Sequence, residues 1–258
     1  MFDLSNYPLA VILFIGLASI LAASEIGWQL GIRTKGRSSN NFSTLESAIL
    51  GLLALMLAFT FSMALSRFED RRDAVLNEAN AIGTTALRAR LLPEPQRSET
   101  LKLLREYVQI RLEIAQGGTS LAERTSTVDR SNALQEALWQ QAKAMASIDK
   151  GPVPTGLFIQ SLNEMIDDQG KRLSVLRNRI PNSVFVTLFG IVAVAGAFAS
   201  YGSARDVERT RLPVYVMVLL ISAVIFLIMD LDRPSAGFIT NSQQPMMDLA
   251  ASMASFSD

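Results

Sequence analysis

Long apolar runs alternate with polar, helix-periodic stretches along this chain, and that alternation predicts a membrane part and a helical domain. Residues 7–30 hold an apolar run, Pro8 through Ala23, of the kind needed to cross a hydrocarbon core, which takes about 20 residues of helix. Residues 45–65, 184–201 and 212–229 repeat the pattern, each bounded by charges or helix breakers. Four spans are predicted, and an even number puts both termini on one side. Ala22, Ala23 and Ser24 have the small side chains of a signal-peptide cleavage site, but the leading segment carries Asp3 and no basic residue. An uncleaved anchor is therefore expected.

Between the second and third spans the chain turns polar but stays helical in period, broken at Pro93 and Pro95, at Gly117 and Gly118, and at Gly151, Pro152 and Pro154. Four helices and no sheet are predicted. Ile159, Leu162, Ile166, Gln169, Leu173, Leu176 and Ile180 step by three and four, the spacing of a supercoiled seam. Phe68, Arg72, Val75, Ala79, Ile82 and Ala86 make a similar series, and no breaker separates it from the second span. Span and stalk are expected to form one rod, rising about 1.5 Å per residue. The seams close an antiparallel bundle, with Gln169 and Arg72 as polar seam positions: Gln169 either sets register or reaches solvent. The expected organisation is therefore all-α: spans one and two in 1–66, an extramembrane bundle in 67–181, spans three and four in 182–230, and a tail with a short helix in 231–258.

Polar groups inside or beside the spans are the candidate functional residues, because burying them in lipid is costly. Glu25 lies near the end of the first span and is expected to face protein or water or to sit at the interface. Thr60 and Ser62 alternate with Phe59 and Phe61 in the second span, either lining a narrow pore or bonding back to helix carbonyls. Asp230, Asp232 and Arg233 close the fourth span before Pro234, where they would meet an ion or pair with one another. The third span carries Gly190, Ala193, Gly196, Ala197, Ser200 and Gly202, small residues that let helices approach closely, within one chain or between copies. After Pro245, the residues Met246, Met247, Leu249 and Met253 predict a short helix whose apolar side docks on protein or lies in the interface.

Composition narrows the function classes. The hydrophobic share is 49% of 258 residues, high for an ordinary soluble domain. Basic and acidic residues balance at 24 each, so no bulk field draws the chain to nucleic acid. With no histidine and no cysteine, the commonest metal ligands, the usual near-neutral base and every thiol nucleophile are missing. No cofactor, metal or enzymatic role is expected. Arg33, Lys35, Arg37, Arg205, Arg209 and Arg211 fall in the two short inter-span loops, which predicts those loops to be cytoplasmic and the central domain extracytoplasmic. Arg67, Arg71, Arg72, Lys171, Arg172, Arg177 and Arg179 pull the other way, but long loops cross largely regardless of charge.

The second span and the start of the stalk read Gly51-Leu52-Leu53-Ala54-Leu55-Met56-Leu57-Ala58-Phe59-Thr60-Phe61-Ser62, followed by Ser66-Arg67-Phe68-Glu69-Asp70-Arg71-Arg72. Further on come Glu78-Ala79-Asn80-Ala81-Ile82-Gly83 with Leu91-Leu92-Pro93, Asp230-Leu231-Asp232-Arg233-Pro234, and Ser242-Gln243-Gln244-Pro245. These motifs resemble those of the bestrophin-like family of bacterial membrane proteins. The resemblance implies a homo-oligomer in a lipid bilayer that passes inorganic anions, by analogy with the bestrophin channels. It would put Phe59, Phe61 and Thr60 at the apolar neck of a pore lined by the second span. The clustered acidic residues of the bestrophin calcium clasp have no counterpart here. A sensor or scaffold, whose bundle binds a partner and transmits strain into the membrane, is the competing expectation.

Overall fold

In the computed structural model the chain is helical throughout residues 7–34, 42–115, 121–148, 153–205, 210–234 and 237–256, apart from short connections. Those ranges are the residues the structure describes. Asp3, Lys35, Arg37, Gly117, Gly118, Gly151, Pro152 and Arg209, used above, lie outside them. The elements are α1 (Leu9–Arg33), α2 (Phe42–Ala89), α3 (Gln96–Ala115), α4 (Leu121–Ile148), α5 (Val153–Arg177), α6 (Asn182–Arg205), α7 (Leu212–Asp232) and α8 (Gln244–Ala254). Among the described residues four helices are long and apolar enough to cross a membrane: α1, α2, the run that contains α6, and α7. As the unbroken pattern predicts, α2 is one helix of 48 residues.

The chain divides into two compact units. The first comprises Met1–Phe68 and Arg179–Thr240, the second Glu69–Asn178 and Asn241–Asp258.

The first unit is built on close helix approach. A Cβ added at Gly27 would stand 2.1 Å from the carbonyl oxygen of Ala197, and one at Gly31 would meet the Tyr201 carbonyl at 2.6 Å. Gly196 faces Ser24 in the same way, at 2.7 Å. The small residues of α6 that sequence singled out therefore serve packing within the chain at Gly196 and Ala197, whereas Gly190 has nothing within 4 Å. Ile20, Leu188, Val192, Val218, Ile225 and Ile228 fill the core around this contact.

In the second unit the polar helices pack around Ile82, Leu104, Leu138, Met145, Phe158, Leu162 and Met165. Two seam assignments need correction. The buried stripe of α5 runs through Phe158, Leu162, Met165, Gln169 and Arg172, so Ile159, Ile166 and Leu173 flank it, and Ile180 lies beyond the helix in the other unit. On α2 the buried position is Arg71, while Arg72 is exposed: the stripe passes through 71, 75, 78 and 82, one residue off the predicted register at its start. Of the two expectations for helix α8 the structure shows docking on protein: Met246 and Met253 are fully buried in this core and Leu249 packs against it, whereas Met247 is exposed. Arg105 reaches the Met253 carbonyl at 3.4 Å.

Candidate functional site

On α2 the four residues Phe59 to Ser62 do not share a face. Phe59 is 63% exposed, and Ser62 is exposed one turn on. Thr60 is 2% exposed and donates its hydroxyl to the Met56 carbonyl at 2.6 Å, the back-bond that a mid-helix threonine makes when no other acceptor is near. Phe61 packs against the core of the first unit. Leu53, Thr60 and Ala64 thus mark the inner face of the span, and Leu52, Leu55, Phe59, Ser62 and Ser66 the outer one. That outer face has helical spacing of three and four, and the described residues leave it uncovered.

The charged candidates are held by neighbours. Glu25 accepts from Arg211 and from the Tyr215 hydroxyl, each at 3.3 Å, at the end of α1. Asp230 is buried, and its two oxygens accept the Phe238 and Ile239 amides at 2.8 and 2.9 Å, fastening the turn after α7. Gly237 permits this turn, since a Cβ there would stand 2.6 Å from the Asp230 carboxylate. Asp232, also buried, accepts the Ile180 amide at 3.0 Å and lies 3.9 Å from Arg67. Arg233 donates to the Tyr7 carbonyl at 2.9 Å. Among the described residues no group of three or more carboxylates is placed to hold a metal ion.

The second unit contains a charge network from which sequence reasoning singled out only Gln169 as a polar seam position, naming Glu78, Arg172 and Gln243 in other connections. Its centre is Glu78 on α2, fully buried. Arg111 of α3 lies with Nε 2.7 Å from one carboxylate oxygen and donates from Nη2 to the other at 3.2 Å. Arg172 of α5 also donates to the second oxygen, and its Nη2 reaches the Gln243 side chain at 2.9 Å. Tyr107 donates to Glu78 at 3.5 Å and accepts from Gln135 of α4 at 3.2 Å. Gln135 bonds in turn to Gln169, whose amide donates to Ser131 at 3.3 Å. The Tyr107 phenol is pushed up to about 12, by burial first and by the Glu78 charge second.

A polar chain therefore links α2, α3, α4, α5 and the residue before α8. Gln169 belongs to it and does not reach solvent. Two buried guanidiniums share one carboxylate, and an ion group so deep is held only while its members satisfy one another. The signal that could have found it is a charged residue on an apolar stripe: Glu78 follows Val75 by three and precedes Ile82 by four, and Arg111 follows Leu104 by seven.

Known proteins give the arrangement a context. A family model described as "Bestrophin-like domain" matches residues 17–246. No curated protein matches the sequence. Among solved structures, a bacterial bestrophin homologue from Klebsiella pneumoniae is similar at 15% identity, with a TM-score of 0.63, covering 93% of this chain and 97% of that one. A variant of that homologue with one leucine replaced by threonine gives a TM-score of 0.67 at 14% identity, over 96% of this chain and 99% of that one.

Proposed function

Because the chain belongs to the bestrophin-like family of membrane proteins, we propose that it forms a homo-oligomeric channel for inorganic anions in a bacterial inner membrane. The observation that carries this reading is the uncovered face of α2. Leu52, Leu55, Phe59, Ser62 and Ser66 project from a span whose inner face is already packed, and symmetric copies would bring those faces round a common axis. Phe59 would then narrow the pore, with the Ser62 hydroxyl beside it as a transient partner for a partly dehydrated ion. Thr60 takes no part, because its hydroxyl is spent within the helix.

Flux through purified protein in liposomes tests this. Chloride flux exceeding potassium flux is expected, and Phe59→Ala changes it severalfold while Thr60→Val leaves it near wild type. No flux under any gradient from an intact oligomer would overturn the proposal.

A sensor or scaffold is the second reading, favoured by an open groove of about 590 Å³ in the second unit. Leu76, Asn80, Gly83 and Thr84 of α2 line it opposite Asp248 and Ser252 of α8. Under this reading, substitutions in the groove change partner capture and Phe59→Ala changes nothing.

A further inference from the structure

The C-terminal ends of α1 and α6 and the start of α7 bring together arginines and aromatic rings to which the channel reading assigns no task. The Arg211 guanidinium lies 4.7 Å from the centre of the Trp28 ring, and Arg205 lies 5.4 Å from that of Tyr201. Both rings are themselves fixed. Trp28 is buried, while the Tyr201 hydroxyl accepts from Thr34 at 2.9 Å and from Arg205 at 3.4 Å. Gly31, which lets α1 lie against the Tyr201 backbone, brings these groups within one patch. Arg33 stands exposed in the last turn of α1.

Charge here is unequal. Among the described residues Glu25 is the carboxylate of the patch, and it faces Arg211 at 3.3 Å with both partners partly exposed. Among the described residues Arg33 and Arg205 have no carboxylate partner. The adjoining loop segments add, by sequence, Lys35, Arg37 and Arg209 against Asp206 and Glu208, so the excess stays positive. The arginines in the last turns of α1 and α6 complement the helix dipoles, but that role does not call for the ring beneath Arg205 and leaves Arg33 exposed. Helix α7 starts at the same patch without a side-chain cap, so its first amides add donors.

Exposed apolar side chains sit on the same turns: Ile26 and Leu30 on α1, Leu212 and Val216 on α7. A ligand that matches both halves carries an anionic phosphate and acyl chains. We propose that this end of the first unit is a seat for the headgroup of an anionic phospholipid, its phosphate held by Arg33, Arg205 and Arg211 and its chains lying along α1 and α7. Guanidiniums clamp phosphate through two parallel donors, and the rings beneath Arg205 and Arg211 reduce the ordering cost of binding.

The test uses the full chain, purified and exchanged into bilayers of phosphatidylcholine with graded phosphatidylglycerol, and measures both lipid retained by mass spectrometry and thermal stability. Wild type is expected to retain phosphatidylglycerol over phosphatidylcholine and to melt higher as its fraction rises. Arg33→Gln with Arg205→Gln is expected to lose affinity about fivefold per arginine removed, the scale of one basic residue at an anionic surface. The double lysine variant keeps the charge but not the two-donor fork and is expected to recover part of the effect, which separates lost binding from damaged folding. Equal retention of the two lipids by wild type, or retention unchanged in the glutamine variant, overturns the proposal. Inorganic phosphate alone is expected to give no stabilisation; a phosphate effect lost with the same arginines would assign the patch to a free anion and overturn the lipid.

Discussion

A single carboxylate decides much of the second unit. Glu78 faces two guanidiniums where no water reaches, so Glu78→Gln leaves two positive charges in a space that accommodates them only as a pair with an anion. Removing one partner of a buried ion pair typically costs about 3–5 kcal/mol. The variant is expected to unfold the bundle at markedly lower denaturant, which tryptophan fluorescence at Trp139 reports; a midpoint within error of wild type would contradict the packing described. Tyr107 gives a pH dependence of defined sign. Its folded phenol titrates near 12 against an ordinary value near 10, so in this range the unfolded chain holds fewer protons than the folded one. Stability from this group is complete below about pH 10 and declines between about 10 and 12. Tyr107→Phe is expected to remove that part of the alkaline decline, which denaturant unfolding of both proteins between about pH 9 and 12 checks.

At the scale of elements, glycine spacing matters more than hydrophobicity. Helices α1 and α6 touch backbone to backbone at Gly27, and the atom a side chain would meet is a carbonyl oxygen that no rotamer change can move aside. Gly27→Leu is expected to force the helices apart and cost at least about 1–3 kcal/mol, as overpacking does. Gly190→Leu, where a side chain meets open space, is the control, and the two melting temperatures should diverge. The spans were legible in sequence because a membrane helix must be apolar over its whole length. Which side of each span faces its neighbours was not legible: Thr60 and Ser62 read alike on paper, and only the partners of Leu53 and Ala64 show that one points inward. On α5 the predicted seam coincides with the buried stripe at Leu162 and Gln169 and misses it by one residue at Phe158, Met165 and Arg172, for a related reason. Ile159, Ile166 and Leu173 are as apolar as the residues buried, and Arg172 outranks Leu173 by having somewhere to bond.

At the scale of the whole chain, the buried network escaped sequence reading because its members are scattered from Glu78 to Gln243 and no local spacing joins them. Gln169 showed as one anomaly on an apolar seam, and nothing in its own helix named Gln135 or Tyr107 as partners. The last residues are part of this arrangement. Gln243 bonds to Arg172, and α8 covers the core with Met246 and Met253. A chain ending before Gln243 would uncover the surface that α8 meets at Gly83 and Arg105 and remove a partner of Arg172, and is expected to show faster protease cleavage within α3 and α5 while the core of the first unit keeps its protection.

The second unit is also discontinuous: Glu69–Asn178 is joined by Asn241–Asp258, and α6 and α7 intervene. For a ribosome making the chain from its start, this sets an order of assembly. Helices α2 to α5 emerge with Arg172 short of a partner and the methionine seats empty, and they wait while two more spans are threaded into the bilayer. Only a chain that has turned back after an even number of crossings can deliver α8 to the compartment where its seat lies. The docking of this one short helix is thus a record that the membrane part was inserted correctly, and a chain with one span mis-threaded would leave its bundle open to the cell's proteases.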